Sequence, residues 1–138
     1  MHRFLIVLAL GLLPAAGRAQ NGGLDQAAEG AREAWFAHDP VALIAGSPRL
    51  LIQLPGADPS VALGPAQAAA LLADFLAPAQ EVEVLVQAAR EVEVGRGYVE
   101  LQRRYRVKGT QDVRSQVLLL GYRLDPGGWS LVEFRVIG

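Results

Sequence analysis

His38 and Asp39 form the only directly adjacent histidine–carboxylate pair in the sequence. A histidine can accept or donate a proton near neutral pH, and a neighbouring carboxylate favours its charged form. Asp39 is also followed by Pro40, and these are the residue types preferred at the N-cap and at the first position of a helix. Capping explains Asp39 fully. We therefore favour a helix-end position for His38, from which its ring can line a ligand site, over a catalytic base.

Two arginines indicate a binding site more clearly than His38 and Asp39 do. Arg90 and Arg103 both fall on the apolar face of predicted strands, where a charged side chain is costly unless it is paired. One interpretation is a site in which both arginines hold an anionic group, with Tyr105 beside them. The alternative is that they lie at the rim of the sheet or pair with an acid such as Asp74 or Glu33. The residues predicted to bind a ligand are Arg90, Arg103, Tyr105, His38 and Trp35.

Several kinds of site are excluded by residue type. The sequence has no cysteine, so a disulfide, a thiolate metal site and a cysteine nucleophile are impossible. The segment Gly95-Arg96-Gly97 lacks the third glycine and the following helix of a dinucleotide site, and a hairpin turn explains it better. We predict neither a metal nor a cofactor. The formal net charge of −1 argues against a nucleic-acid partner.

The N-terminus has the pattern of a secretory signal peptide. Arg3 precedes ten mostly apolar residues, 4–13, and Gly17 and Ala19 supply the small residues of a cleavage site. The apolar run is shorter than the roughly 20 residues that span a bilayer. We expect cleavage after Ala19, a single domain over residues 20–138, a secreted or periplasmic protein, and no stable membrane insertion after cleavage. An uncleaved anchor and a buried N-terminal helix are the alternatives.

The remaining sequence alternates between helical and strand periodicity. A helix is predicted over residues 24–37, a short one over 41–45, and a third from Pro65 until Pro78 stops it. After residue 81 the period becomes two, which is typical of half-buried strands. Strands are predicted at residues 49–54, 61–63, 81–94, 98–107, 113–124 and 129–137. This order indicates an α+β fold in which a curved, mixed or antiparallel sheet forms a cone packed against the N-terminal helices.

The alternation of apolar and polar residues, which we call the parity of a strand, assigns each side chain to one face of the sheet. Val84, Val99 and Phe134 are predicted to face the helices, while the glutamates between residues 81 and 93 face the open side. A three-residue turn at 109–111 pairs Leu101 with Leu119. The opposite face then has an apolar centre with a charged rim, the anatomy of an association surface. We expect a homodimer through this face, with the N-terminal segment or a loop as alternative covers. The predicted surface comprises Leu118, Leu120, Tyr122, Trp129 and Leu131.

Three stretches resemble the nuclear transport factor 2-like superfamily, whose members share a cystatin-like α+β cone, and in particular its uncharacterised secreted members. They are AAEGAREAWFAHDPVALIA at 27–45, LGPAQAAALLADFLA at 63–77 and LDPGGWSLVEFRV at 124–136. The resemblance covers roughly residues 25 to 137 and concerns fold more than chemistry. It implies a cone whose mouth can hold a small apolar ligand, and often a homodimer.

The catalytic residues of relatives find no match here. The isomerase relatives use an aspartate base with a tyrosine and a protonated acid, whereas the predicted core-facing strand positions hold no carboxylate. The dehydratase relatives depend on inward histidines, and only His38 follows the signal peptide. We therefore predict an exported domain that binds a small molecule or a protein, without evident catalytic machinery. The alternatives are a small lyase or isomerase, favoured by an ionisable pair inside the cone, and a structural dimerisation module, favoured by a self-filled cone.

Overall fold

Five strands form one curved, unclosed sheet packed against helices, which confirms the predicted α+β class. The computed structural model describes the backbone of residues 12–138 and the side chains of residues 23–138. The predicted signal peptide, residues 1–19, and its cleavage site lie outside the residues described with side chains. The elements are α1 (Leu12–Phe36), α2 (Pro40–Leu43), β1 (Leu51–Gln53), α3 (Pro65–Leu76), β2 (Ala79–Glu93), β3 (Arg96–Val107), β4 (Val113–Asp125) and β5 (Gly128–Ile137).

The last four strands form a meander, and the first strand completes the sheet from the other edge. The strand order is β1-β5-β4-β3-β2, with β1 parallel to β5 and the other pairs antiparallel. The predicted short strand at 61–63 is reduced to a single bridge between Leu50 and Leu63. Among the helices that the structure describes, none combines the length and the hydropathy of a membrane-spanning segment.

The helices bury the faces that their periodicity predicts. In α1, Leu24, Ala28, Ala31 and Trp35 are all buried, and the helix packs on β2, β3 and β5. The Asp39 carboxylate accepts a hydrogen bond from the Ala42 amide over 3.1 Å, so the predicted cap of α2 is confirmed. In α3 the buried residues are Ala68, Leu72 and Leu76.

β2 is less regular than its alternating sequence predicts. Its pairing with β3 shifts between Glu81 and Glu83, between Val86 and Ala88, and between Glu91 and Glu93. Each extra residue reverses the face on which the following side chains lie. Val84 is buried as predicted, but Val92 and Val94 are exposed. Unbroken alternation was therefore the wrong expectation for this strand.

β4 has the opposite parity from the predicted one. The turn after β3 is longer than three residues, since Arg106 pairs with Val113 and the Val107 amide donates to the Asp112 carbonyl. Leu101 consequently pairs with Leu118 and not with Leu119. A one-residue slip moves every side chain of a strand to the other face.

This slip overturns the predicted dimer surface. Leu118, Leu120, Tyr122 and Leu131 are buried in the core, and Trp129 packs half-buried against it. The β5 residues among them turn inward because a second irregularity, between Gly121 and Tyr122 in the pairing of β4 with β5, reverses the face of the β5 residues that precede it. The open face instead carries Val117 and Leu119 at its centre, with charged residues around them. No association surface exists at the five predicted positions.

Candidate functional site

A buried ion pair joins β2 to β3 on the helix-covered face of the sheet. Nε of Arg103 donates to Oε2 of Glu81 over 3.1 Å, and Nη2 donates to Oε1 of the same carboxylate. Both side chains are only 1% exposed. Because the two groups meet through paired hydrogen bonds, each one neutralises the charge that would otherwise make burial of the other costly.

The first irregularity of β2 explains why Glu81 lies inside. Pairing with β3 runs from Glu81–Tyr105 directly to Glu83–Arg104, which leaves Val82 as the extra residue of a bulge. Glu81 therefore faces the same side as Val84, although the sequence parity predicts the open side. The expectation that no carboxylate occupies the core face was wrong for this reason.

Aromatic rings surround the guanidinium of Arg103. Its Cζ atom lies 3.9 Å from the centre of the Tyr105 ring, 5.1 Å from Trp35 and 5.8 Å from Phe75. Trp35 in turn stacks on Phe134, with ring centres 5.2 Å apart. Attraction between the cation and the ring faces adds to the ion pair and holds the guanidinium in one place.

His38 reaches the same carboxylate from the turn after α1. Its Nε2 lies 3.1 Å from Oε1 of Glu81, and its side chain is 26% exposed. The backbone of His38 has a φ of 54°, the left-handed region that non-glycine residues rarely adopt. This strained turn carries the ring from the end of α1 toward β2. Glu81 thus accepts from Arg103 and faces His38, so it is not a free base.

Gln116 of β4 completes the polar cluster. Nη1 of Arg103 donates to Oε1 of Gln116 over 3.0 Å, and Gln116 is 8% exposed. The amide nitrogen of Gln116 donates to no other residue in the described part of the chain. The network therefore leaves both N–H groups of the Gln116 amide without a protein acceptor.

An open pocket of about 420 Å³ lies next to this cluster, between the end of α3, the end of β3 and the start of β4. We call it the mouth pocket. Apolar surface predominates, and the buried polar residues of the lining are Arg103 and Gln116. Its lining residues include Asp74, Phe75, Tyr105, Val107 and Arg114. The arrangement suits a small apolar molecule with one group that accepts hydrogen bonds.

The structure brings together four of the five residues predicted to bind a ligand. Trp35, His38, Arg103 and Tyr105 all belong to the polar and aromatic cluster. Arg90 does not, because it pairs with Tyr98 near the other end of β3 and is exposed, whereas Arg103 pairs with Val84. The predicted Arg90–Arg103 grip is therefore wrong, since each bulge in β2 moves its partners along β3.

Sequence reasoning missed Glu81 and Gln116. The sequence predicts that a buried Arg103 pairs with an acid, but it points to Asp74 or Glu33 as the partner. The predicted register of β4 places Gln116 on the open face of the sheet, which is the wrong face. Gln116 is two residues before Leu118, so a correct register places it on the core face. The signal for both residues was the unpaired charge of Arg103, which requires partners on neighbouring strands.

Comparison with known proteins defines the fold. No family model matches the sequence, and no curated protein is recognisably similar to it. A ketosteroid isomerase-like protein from Erwinia carotovora atroseptica is similar in structure, with a TM-score of 0.70 and 16% identity, over 86% of this chain and 95% of that one. A nuclear transport factor 2-like protein with a cystatin-like fold from Novosphingobium aromaticivorans gives 0.62 and 18%, over 99% and 90%.

A third solved structure is of interest for its ligand. It is a hypothetical protein with a ketosteroid isomerase-like fold from Catenulispora acidiphila, in complex with trimethylamine. The TM-score is 0.63 at 14% identity, over 81% of this chain and 84% of that one. These similarities establish that the chain has the nuclear transport factor 2-like, cystatin-like fold. At such identities they establish the fold alone, because this fold hosts many unrelated functions.

Proposed function

We propose that this protein binds a small, largely apolar molecule that carries a hydrogen-bond-accepting group, and that the mouth pocket holds it. The observation that carries the proposal is the side-chain amide of Gln116, which lines a predominantly apolar pocket and whose nitrogen has no protein acceptor. A ligand acceptor placed there satisfies this donor. An apolar group that displaces water from the same place leaves it unsatisfied, which disfavours wholly apolar ligands.

The floor of the pocket is fixed before a ligand arrives. Arg103 is held by Glu81 on one side and by the Tyr105 ring on the other, and it fixes the Gln116 side chain through Oε1. A donor whose rotamer is already locked loses little conformational entropy on binding. This preorganisation supports a recognition role for the cluster in addition to a structural one.

The same cluster argues against a cationic ligand in the interior. The solved structure from Catenulispora acidiphila contains a small amine, trimethylamine. In this chain the guanidinium of Arg103 already lies among Trp35, Phe75 and Tyr105. A second cation there would meet like-charge repulsion, so we propose that this site selects acceptors, with a carboxylate or an amide carbonyl as the best head group.

Binding is better supported than isomerase or lyase chemistry. A general base needs an unpaired lone pair within reach of the substrate. Glu81 is 1% exposed and is ion-paired with Arg103, so its lone pairs are already engaged. Asp74 also lines the mouth pocket, but it is exposed to solvent and is not ion-paired with Arg103. We therefore propose a binding function without turnover.

Binding of benzoate, benzamide and benzylamine tests the proposal. These probes share one ring and differ in the head group: an anionic acceptor, a neutral acceptor and a cation. Two-dimensional amide NMR titration of the purified protein should show saturable shifts around the mouth pocket for benzoate and benzamide, and none for benzylamine. Equal binding of all three probes, or saturation by none, would refute the proposed selectivity.

Two valine variants localise the effect. Val107 lines the mouth pocket, so Val107→Phe narrows it and should weaken benzoate binding about tenfold, the loss expected from about 1.4 kcal/mol. Val113→Phe adds the same volume at an exposed position of β4 outside the lining. It should leave the affinity within twofold. A similar loss in both variants would show that the pocket is not the binding site.

We also propose that the chain is exported. The support is the sequence of residues 1–19, a short basic start followed by an apolar run and small residues. The expected mature N-terminus is Gln20. N-terminal sequencing of the protein recovered from a bacterial periplasm or medium checks this, and an intact Met1 there would contradict cleavage.

A further inference from the structure

A second pocket, of about 380 Å³, opens at the end of the sheet where β3 begins and β4 ends, and its lining includes three arginines. They are Arg49 from the segment before β1, Arg96 at the start of β3 and Arg123 near the end of β4. We call it the arginine pocket. Its lining shares no residue with that of the mouth pocket.

Two of the arginines are direct cross-strand partners. Arg96 of β3 pairs with Arg123 of β4, so both side chains leave the same face of the sheet at adjacent positions. Like charges directly opposite each other on neighbouring strands destabilise a sheet unless something compensates them. Arg96 is compensated by Glu93, whose Oε1 lies 2.7 Å from its Nη1. Arg123 has no such partner among the residues that the structure describes.

Arg49 adds a third positive charge without an acid. Its Nη1 donates to the Ala62 carbonyl over 3.1 Å, a contact that positions the guanidinium but leaves its charge uncompensated. Glu133 is the one carboxylate in the lining. Counting Glu93 with Arg96, three cations therefore face two carboxylates, which leaves a positive excess around one concave site.

The floor of the arginine pocket is open because residue 121 is a glycine. A Cβ atom there would lie 3.2 Å from Cβ of Glu133 and 3.3 Å from Cε1 of Tyr98, so even an alanine would press against both walls and force them to shift slightly. The Glu133 carboxylate lies along this floor, with Oε2 3.8 Å from that position. The lining therefore offers a ligand both cations and a hydrogen-bond acceptor.

We infer that the arginine pocket binds a small phosphate monoester that also carries hydroxyl groups. Arginine presents a planar fork that matches phosphate oxygens, and several guanidiniums suit a dianion better than a single carboxylate. Glu133 repels a bare anion but accepts hydrogen bonds from hydroxyls of the ester group. The pairing of excess positive charge with one acceptor favours the hydroxylated ester over inorganic phosphate.

Isothermal titration at fixed ionic strength tests this with glycerol 3-phosphate, inorganic phosphate and glycerol. The expected order of affinity in the wild-type protein is glycerol 3-phosphate, then phosphate, with no measurable binding of glycerol. Arg123→Gln and Arg49→Gln should each weaken glycerol 3-phosphate binding tenfold or more. Arg104→Gln is the matched control, since Arg104 lies on β3, outside the arginine pocket, and is also exposed. It should change the affinity less than twofold.

Glu133→Gln should change phosphate affinity in the direction opposite to the effect of the arginine variants on glycerol 3-phosphate affinity. Removing its charge should strengthen binding of inorganic phosphate and shrink the advantage of glycerol 3-phosphate over phosphate. Absence of saturable phosphate-ester binding in the wild-type protein would overturn the inference, as would equal losses in Arg104→Gln and Arg123→Gln. Since Val107→Phe alters only the mouth pocket, unchanged glycerol 3-phosphate binding in that variant separates this site from the proposed function.

Discussion

Glu81 and Val84 point to the same side of β2 although three positions separate them, because Val82 is the extra residue of a bulge between them. In a regular strand, residues three apart lie on opposite faces. The bulge thereby brings a carboxylate to the face on which Arg103 is buried. A local irregularity of one residue decides whether the interior contains an uncompensated charge or a neutral pair.

Breaking this pair should destabilise the protein strongly. Glu81→Gln leaves the guanidinium of Arg103 buried without its counter-charge, and such a loss typically costs about 3–5 kcal/mol. We expect the free energy of unfolding, measured by urea denaturation, to fall by that amount. Glu83→Gln is the matched control, because Glu83 is exposed and its contact with Arg104 is a surface pair. It should change the stability by less than about 1 kcal/mol.

A double variant separates pairing from packing. Replacing both partners, Glu81→Leu with Arg103→Met, removes both charges together and keeps apolar volume, so it should be much closer to the wild type than Glu81→Gln. The Gln116 side chain then loses its donor, which costs about 1 kcal/mol. A double variant at least as unstable as the single one would show that the hydrogen-bond geometry, and not the charge balance, stabilises this region.

The left-handed backbone of His38 predicts an unusual order of substitutions. Glycine adopts a φ of 54° without strain, whereas a β-branched residue resists it. His38→Gly loses the contact with Glu81 but relieves strain, so its free energy of unfolding should stay within about 1 kcal/mol of the wild type. His38→Val loses the contact and adds strain, and should be less stable than His38→Gly by about 1–2 kcal/mol. Equal stabilities in thermal denaturation would contradict the strained turn.

Element types and their order could be predicted from the sequence, because they depend on local periodicity and on the residues that start and stop each element. Asp39 with Pro40 marks the start of α2, and the alternation after residue 81 marks the strands. The burial of Val84, Val99 and Phe134 also agrees with prediction. Register depends on bulges and turn lengths, which leave little trace in periodicity. The face of β4 was therefore predicted wrongly, and with it the surface around Leu118.

Only those residues of the candidate site that local periodicity places could be predicted from the sequence. Trp35 and His38 lie near the end of a strongly amphipathic helix, and Arg103 and Tyr105 share the parity of a regular strand, so their neighbourhood follows from local rules. Glu81 follows from a bulge and therefore could not be placed. Charge balance indicates that such a partner exists, since a buried Arg103 needs a carboxylate on an adjacent strand or helix.

Tyr122 makes the stability fall at alkaline pH. Burial raises the pKa of its hydroxyl above the ordinary value of 10.0, because the phenolate would be poorly solvated in the core. Above pH 10 the unfolded chain loses this proton while the folded chain keeps it, so the free energy of unfolding decreases as the pH rises. The slope approaches about 1.4 kcal/mol per pH unit.

The Tyr122→Phe variant should remove this part of the decrease, as measured by urea denaturation between pH 9 and pH 11. Tyr98→Phe is the control, because Tyr98 lies on the same sheet but is 36% exposed. It should retain the slope of the wild type. A Tyr122→Phe variant with an unchanged slope would show that other groups cause the alkaline loss.

The parity of β4 can be tested with two adjacent leucines. Leu118 is fully buried and pairs with Leu101 and Val136, whereas Leu119 lies half-buried on the open face opposite Glu100. Leu118→Ala removes core volume, and such a substitution costs about 2–5 kcal/mol because the cavity collapses only partly. Leu119→Ala should cost less than half as much. Urea denaturation of both variants measures the difference. The reverse order would restore the register in which Leu118 belongs to an exposed association surface, and would remove Gln116 from the floor of the mouth pocket.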